Sequence, residues 1–169
     1  MTKTEETHNN FEIDYLELDE LYWYIGKKSN NTVYIITIVS RNPRQIVGFD
    51  VAFDKSPKRI QQIVDHSPEA KYYCTDGYKG YIDIAYPGKH IYNPHNKNDT
   101  FTVESINSDL RHYIPILARH SKCFSRKLET LKMVLEVFVD AYNRFDLAKY
   151  QYNLKNKNKE FPLGLVDFL

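Results

Sequence analysis

Three strand-like segments separated by short turns constrain the fold of this chain more than any other feature. The segment 11–25 reads FEIDYLELDELYWYI, an alternating pattern rich in aromatic and branched residues that is typical of a strand. The segments 32–40 (TVYIITIVS) and 45–53 predict two more strands, and the turns before them contain Gly, Asn and Pro. Short turns join antiparallel neighbours, so the sequence predicts a three-stranded antiparallel meander.

Helices and short strands are predicted after the meander. Ser followed by Pro at position 57 is a typical helix start and predicts a helix over 57–66. The run KYYCT predicts a buried strand over 71–75, and 90–92 is compatible with a further brief strand. The segment 82–86 fits either a helical turn or a short strand.

Two longer helices are predicted from apolar residues at helical spacing. The first covers 102–117, with an apolar stripe at Val103, Ile106, Leu110, Ile114 and Leu117. The second covers 126–145, with an inner face formed by Leu128, Leu131, Leu135, Phe138, Tyr142 and Phe145. Strands and helices in this order predict an α/β fold in which a mixed sheet with an antiparallel meander is flanked by helices. The order also resembles the ribonuclease-H-like fold.

Domain organisation follows from the same patterns. We expect a disordered N-terminal segment over 1–10, one domain over 11–145, and a C-terminal tail over 146–169 that ends in an apolar docking segment. The length of 169 residues suits one domain of ordinary size.

Composition excludes several classes of protein. Lys and Arg total 23 against 22 for Asp and Glu, so the chain is not a globally basic nucleic-acid binder, although a local basic patch is compatible with this balance. No apolar run reaches the roughly 20 residues of a membrane span, and the polar start lacks the apolar core of a signal peptide. Two widely separated cysteines disfavour a disulfide framework and a cysteine zinc site. We therefore expect a soluble, cytoplasmic protein.

Three acidic residues are the candidate functional residues. Asp19 lies among apolar residues of the first strand, Asp76 ends the KYYCT strand and precedes Gly77, and Glu104 begins a helix on the face opposite its apolar stripe. Carboxylates are preferred ligands of Mg²⁺ and Mn²⁺, and a pair of such ions can stabilise both oxygens of a phosphoryl displacement. Singly, each acid has an ordinary explanation as a strand-edge, turn or helix-start residue, and Glu20 has as good a claim as Asp19.

The sequence around these acids resembles a known family. The segments ELDELYWYIGKKS, YYCTDGY and TVESINSDLRHYIPILARHSKCFSRKLE are similar to those of transposases of the insertion-sequence-one type. These enzymes belong to the DDE class, whose catalytic core has a ribonuclease-H-like fold. The resemblance covers roughly residues 14 to 145.

The resemblance implies a chemistry and a set of roles. Asp19, Asp76 and Glu104 correspond to the catalytic acids and would hold two Mg²⁺ or Mn²⁺ ions, with Asp19 bridging them. The family hydrolyses DNA at a transposon end, and the exposed 3′-hydroxyl then attacks target DNA, generally within a multimer. Family members begin with a zinc-binding segment and a helix-turn-helix, whereas only eighteen residues precede Asp19 here. We therefore expect the catalytic portion without the N-terminal DNA-binding region.

Basic residues downstream of Glu104 are candidate DNA contacts. Five of them occur without an intervening acid: Arg111, Arg119, Lys122, Arg126 and Lys127. They can form a phosphate-contacting strip beside the cleft or simply a solvated helix end and loop. Asn107 and Arg111 are expected to face the same cleft as Glu104. Two other functions stay open: a ribonuclease-H-like nuclease without strand transfer, and an inactive remnant that binds DNA or dimerises.

Overall fold

A five-stranded mixed sheet flanked by helices forms the computed structural model, which describes residues 12–26, 31–94, 99–118 and 125–145. The strands are β1 (Ile13–Tyr24), β2 (Thr32–Ser40), β3 (Gln45–Ala52), β4 (Ala70–Thr75) and β5 (Lys89–Tyr92). The helices are α1 (Pro57–Asp65), α2 (Phe101–Tyr113) and α3 (Leu128–Arg144). The predicted α/β class is confirmed. The predicted terminal segments, 1–10 and 146–169, lie outside the described residues.

The strand order in the sheet is β3-β2-β1-β4-β5. β1, β2 and β3 pair antiparallel, which confirms the predicted meander. β4 pairs parallel with β1, and β5 pairs parallel with β4. The helix α1 connects β3, at the edge of the meander, to β4 on the other side of β1. A connection that crosses over neighbouring strands in this way usually contains a helix. β1 is therefore the central strand, with neighbours of opposite direction on its two sides.

Alternation along the strands divides the core into two layers. One layer joins Leu21, Val33 and Ile35 to the apolar faces of α2 and α3. The other joins Leu18 and Ile36 to α1 and the segment after β4. Successive strand residues point to opposite faces, so in β1 Leu21 and Trp23 face the layer of α2 and α3, whereas Leu16 and Leu18 face the layer of α1.

Two details of the helices differ from the sequence prediction. The α2 helix ends at Tyr113 instead of continuing to 117, and Pro115–Leu117 forms a separate 3-10 turn. Pro115 has no N–H to donate and disfavours the helical conformation at the residue before it. Phe145, predicted to lie on the inner face of α3, is 46% exposed just beyond the helix end.

Among the helices in the described part of the chain, none combines the length and apolarity that crossing a bilayer requires.

The segment that the sequence left undecided also has a defined structure. A short 3-10 turn covers Lys79–Tyr81, and the residues 82–86 that follow form neither a helix nor a strand. Tyr81 and Ile84 are nevertheless buried in the layer that contains α1. The apolar residues of this segment therefore fill the core without regular secondary structure.

Candidate functional site

A cleft of about 560 Å³ brings the three predicted acids together. β1 contributes Asp19, the loop after β4 contributes Asp76, and α2 contributes Glu104. Further residues that line the cleft include Glu20, Asn93, Thr100, Asn107, Ser108 and Arg111. The three predicted acids thus line one cleft in the structure.

Parallel pairing of β1 with β4 explains why Asp19 and Asp76 are neighbours. Leu18 is the register partner of Thr75, the last residue of β4. Asp19 and Asp76 follow these partners, so both carboxylates lie where β4 ends and β1 continues. The Asp76 Oδ1 accepts a hydrogen bond of 2.9 Å from the Tyr78 backbone N–H, which closes the turn. A side chain at Gly77 would crowd the loop, since an added Cβ would lie 3.0 Å from the Cβ of Pro94.

Asp19 is mostly buried and is held by α2. The Asn107 side chain donates a hydrogen bond of 2.8 Å to the Asp19 Oδ2, and Thr37 donates one of 3.2 Å to the Asn107 Oδ1. Burial raises the pKa of Asp19 from 3.8 to about 6, and the charges of Asp76 and Glu20 act in the same direction. The bond from Asn107 opposes this rise, because it stabilises the charged form. Asp19 therefore binds a proton more tightly than an exposed aspartate does.

Glu20 projects from the opposite face of β1 and has a different partner. Lys55 donates a hydrogen bond of 3.3 Å to the Glu20 Oε2, and the Lys55 ammonium lies 3.8 Å from the centre of the Tyr78 ring. Burial raises the pKa of Glu20, whereas Lys55 lowers it. The other oxygen, Oε1, is buried and has no hydrogen-bond partner among the described residues. Glu20 is thus partly neutralised by a lysine, whereas the described residues include no ion pair between Asp19 and a lysine or arginine.

Glu17 is a residue that the sequence analysis missed. Its side chain is fully buried, and its carboxylate contacts both the start of α2 and Arg41. The signal that could have found it is its spacing, because an acid two residues before Asp19 lies on the same face of the strand. An acid at a position that points towards a core also requires a partner.

Of the five basic residues predicted to contact DNA, one lines the cleft in the described part of the structure. Arg111 lines the cleft, and its guanidinium lies 5.9 Å from the centre of the Tyr22 ring. Arg126 and Lys127 are exposed just before α3 and are not among the residues that line the cleft. Arg119 and Lys122 lie outside the described residues. Of the predicted DNA contacts, Arg111 is therefore the one that the described structure joins to the acids.

The donor chemistry of the cleft suits a hard divalent cation. Asp19, Asp76 and Glu104 offer only carboxylate oxygens, which Mg²⁺ and Mn²⁺ prefer. A cation would also relieve the repulsion that contributes to the raised pKa of Asp19. Within the described ranges, no three His, Cys, Asp or Glu side chains are arranged to hold a metal ion as they stand. Metal binding would therefore require side-chain movement, for which the exposed Glu104 is suited.

The arrangement as a whole supports two kinds of chemistry. Carboxylates that repel each other can bind a cation, and a carboxyl with a pKa of about 6 can exchange a proton near neutral pH. Arg111 adds a positive group that can pair with an anionic substrate such as a phosphate. The sequence matches no protein-family model and no curated protein.

Proposed function

We propose that this chain is the catalytic domain of a DDE-type transposase, which cleaves DNA and transfers strands with the help of two Mg²⁺ or Mn²⁺ ions. The observation that carries the proposal is the convergence of Asp19, Asp76 and Glu104, from three separate elements, on one cleft. The strand order β3-β2-β1-β4-β5, with β2 alone antiparallel to both of its neighbours, supports a ribonuclease-H-like fold. We further propose that the chain acts on transposon ends and target DNA, in the cytoplasm, as a homo-oligomer.

The proposed roles follow from the surroundings of each side chain. Asp19, Asp76 and Glu104 would hold the ions, which supply Lewis-acid stabilisation of the attacking and leaving oxygens when bound. Asn107 keeps the Asp19 carboxylate in one orientation through its hydrogen bond of 2.8 Å. Arg111 lines the same cleft and would pair with a DNA phosphate. Above a pH of about 6, Asp19 is ionised and ready to bind a cation.

The Asp76→Asn substitution tests the proposal. Asparagine has nearly the same size and keeps an oxygen that can accept the hydrogen bond from the Tyr78 N–H, so the fold should be unchanged. We expect the parent to nick supercoiled plasmid DNA in the presence of Mn²⁺ and the variant to lose this activity. Asp83→Asn is the matched control, because Asp83 is exposed and does not line the cleft. Equal nicking by Asp76→Asn and the parent would refute the assignment.

Strand transfer is tested separately from cleavage. A labelled oligonucleotide with a free 3′-hydroxyl is incubated with plasmid, Mn²⁺ and the parent protein. Covalent joining of the label to the plasmid is the result expected of a transposase. Hydrolysis without joining would instead favour a ribonuclease-H-like nuclease, and the absence of both would favour an inactive remnant.

A further inference from the structure

We propose that Glu17 is a positioning residue for the acidic cleft, because its buried carboxylate holds the first turn of α2, and with it Glu104, in a defined place relative to Asp19. The inference rests on the proposed metal-dependent function of the cleft. It concerns a residue that does not line the cleft and acts on the metal ligands through the backbone.

The carboxylate of Glu17 caps α2 from another element. The Thr102 and Val103 backbone N–H groups donate hydrogen bonds of 2.7 and 2.8 Å to the Glu17 Oε2. The first N–H groups of a helix have no partner within the helix, and the side chain of Thr100, the N-cap residue, makes no capping hydrogen bond. Glu17 thus supplies from β1 the acceptor that a local N-cap side chain usually supplies.

Arg41 holds the Glu17 carboxylate in place from the other side. Its Nε donates a hydrogen bond of 2.7 Å to the Glu17 Oε1. The guanidinium lies 4.5 Å from the centre of the Tyr15 ring and 5.0 Å from that of Phe101. It also donates a hydrogen bond of 3.1 Å to the Asp99 carbonyl oxygen. Because each carboxylate oxygen has its own donor and the charge is paired, the orientation of Glu17 is closely determined.

Two links between β1 and α2 enclose Glu104. Glu17 and Asp19 are alternate residues on one face of β1. Glu17 binds the N–H of Val103, the residue just before Glu104, and Asp19 accepts from Asn107, one turn after Glu104. The two hydrogen bonds therefore fix the α2 backbone relative to β1 just before Glu104 and again one turn after it. Without the first link, this turn can shift relative to Asp19.

The Glu17→Gln substitution tests the inference. Glutamine can keep an acceptor towards the α2 amides but places an uncharged NH₂ group towards Arg41. We expect the Mn²⁺ concentration for half-maximal plasmid nicking to rise about tenfold, as for other groups that orient metal ligands, while the rate at saturating Mn²⁺ stays within about threefold of the parent. A merely structural role would lower the amount of active protein without moving the metal dependence.

Asp50→Asn is the matched control. The substitution removes a carboxylate charge from β3 together with ion pairs of 2.7 and 3.0 Å to Arg59 and Lys132. Asp50 does not line the cleft, and among the described residues no hydrogen bond or ion pair joins it to α2. We expect its Mn²⁺ dependence to equal that of the parent. An unchanged Mn²⁺ dependence in Glu17→Gln, with an active parent, would overturn the inference and leave the proposed function standing. A parent without metal-dependent nicking would overturn both.

Amide hydrogen exchange in the parent provides a measurement that does not need a folded variant. The N–H groups of Thr102 and Val103 are expected to exchange as slowly as those inside β1. The corresponding positions of α3, Glu129 and Thr130, follow an N-cap residue that makes no side-chain cap and should exchange at least tenfold faster. Equal, fast exchange at both helix starts would overturn the inference.

Discussion

Replacing Asp19 by asparagine should stabilise the metal-free protein at neutral pH while it removes the proposed metal-dependent activity. Burial, assisted by the charges of Asp76 and Glu20, raises the pKa of Asp19 from 3.8 to about 6. Keeping this carboxylate ionised in the folded state therefore costs roughly 3 kcal/mol at pH 7, at about 1.4 kcal/mol per tenfold change in the protonation equilibrium. Asparagine is uncharged and keeps an oxygen for the bond from Asn107, so the substitution removes this cost without leaving a cavity.

The raised pKa also determines the sign of the pH dependence. Between about pH 4 and pH 6, folded Asp19 keeps a proton that the unfolded chain has released, so the stability of the parent falls as the pH rises through this window. The advantage of Asp19→Asn should accordingly be near zero below about pH 4, and at pH 5 it should be about half of the roughly 3 kcal/mol expected at pH 7.

Urea unfolding of the metal-free protein at pH 4, 5 and 7, followed by circular dichroism, measures this difference. Asp14→Asn is the control, because Asp14 is an exposed aspartate on the same strand, and it should match the parent at every pH. Mn²⁺ should raise the unfolding midpoint of the parent but not that of Asp19→Asn. An Asp19→Asn variant that is no more stable than the parent at pH 7, or whose advantage does not change with pH, would refute the reasoning.

Three further predictions concern the support of the site and the core. Asn107→Ala removes the bond that stabilises ionised Asp19, so the acid limb of the pH–rate profile for nicking should move to higher pH; an unmoved limb would contradict the role of Asn107. Phe138→Ala removes a ring that is 2% exposed in the core and should lower the free energy of unfolding by about 3–5 kcal/mol in urea titrations; a loss below about 1 kcal/mol would contradict this packing. Burial raises the pKa of Cys74 to about 11, so in a Cys123→Ser background its thiol should react with a disulfide reagent at pH 8 only after unfolding, and rapid reaction of the native protein would argue against its burial.

Local patterns were sufficient for most of the secondary structure. The Thr32–Ser40 strand was predicted with the bounds that the structure has, because its branched and aromatic residues suit a buried strand and polar turns flank it. The end of α2 was predicted wrongly, although the cause was visible in the sequence. The apolar stripe continues through Ile114 and Leu117, which are buried, but Pro115 stops the helical hydrogen bonding. Periodicity reports which residues are buried and does not by itself report where a helix ends.

Contacts between distant segments could not be predicted from these local patterns. The hydrogen bonds of Glu17 join residues that are 85 and 86 positions apart, and no pattern within β1 or α2 alone indicates them. The pairing of Glu20 with Lys55 likewise distinguishes it from Asp19, although the two acids are adjacent in the sequence and equivalent by local reasoning. Strand alternation separates them onto opposite faces of β1, and the helices that cover those faces then decide their partners.

Local sequence patterns predicted the three-stranded meander, the helices and the three candidate acids, because these depend on residue type and on spacing within a few turns or strand repeats. Whether those acids share a cleft, and which partners hold each of them, depends on the packing of separate elements. Parallel pairing of β4 with β1 brings Asp76 beside Asp19, and the link from Glu17 to α2 brings Glu104 to the same edge. Such contacts depend on how whole elements pack against one another, and the free energy that selects this packing is spread over the entire core.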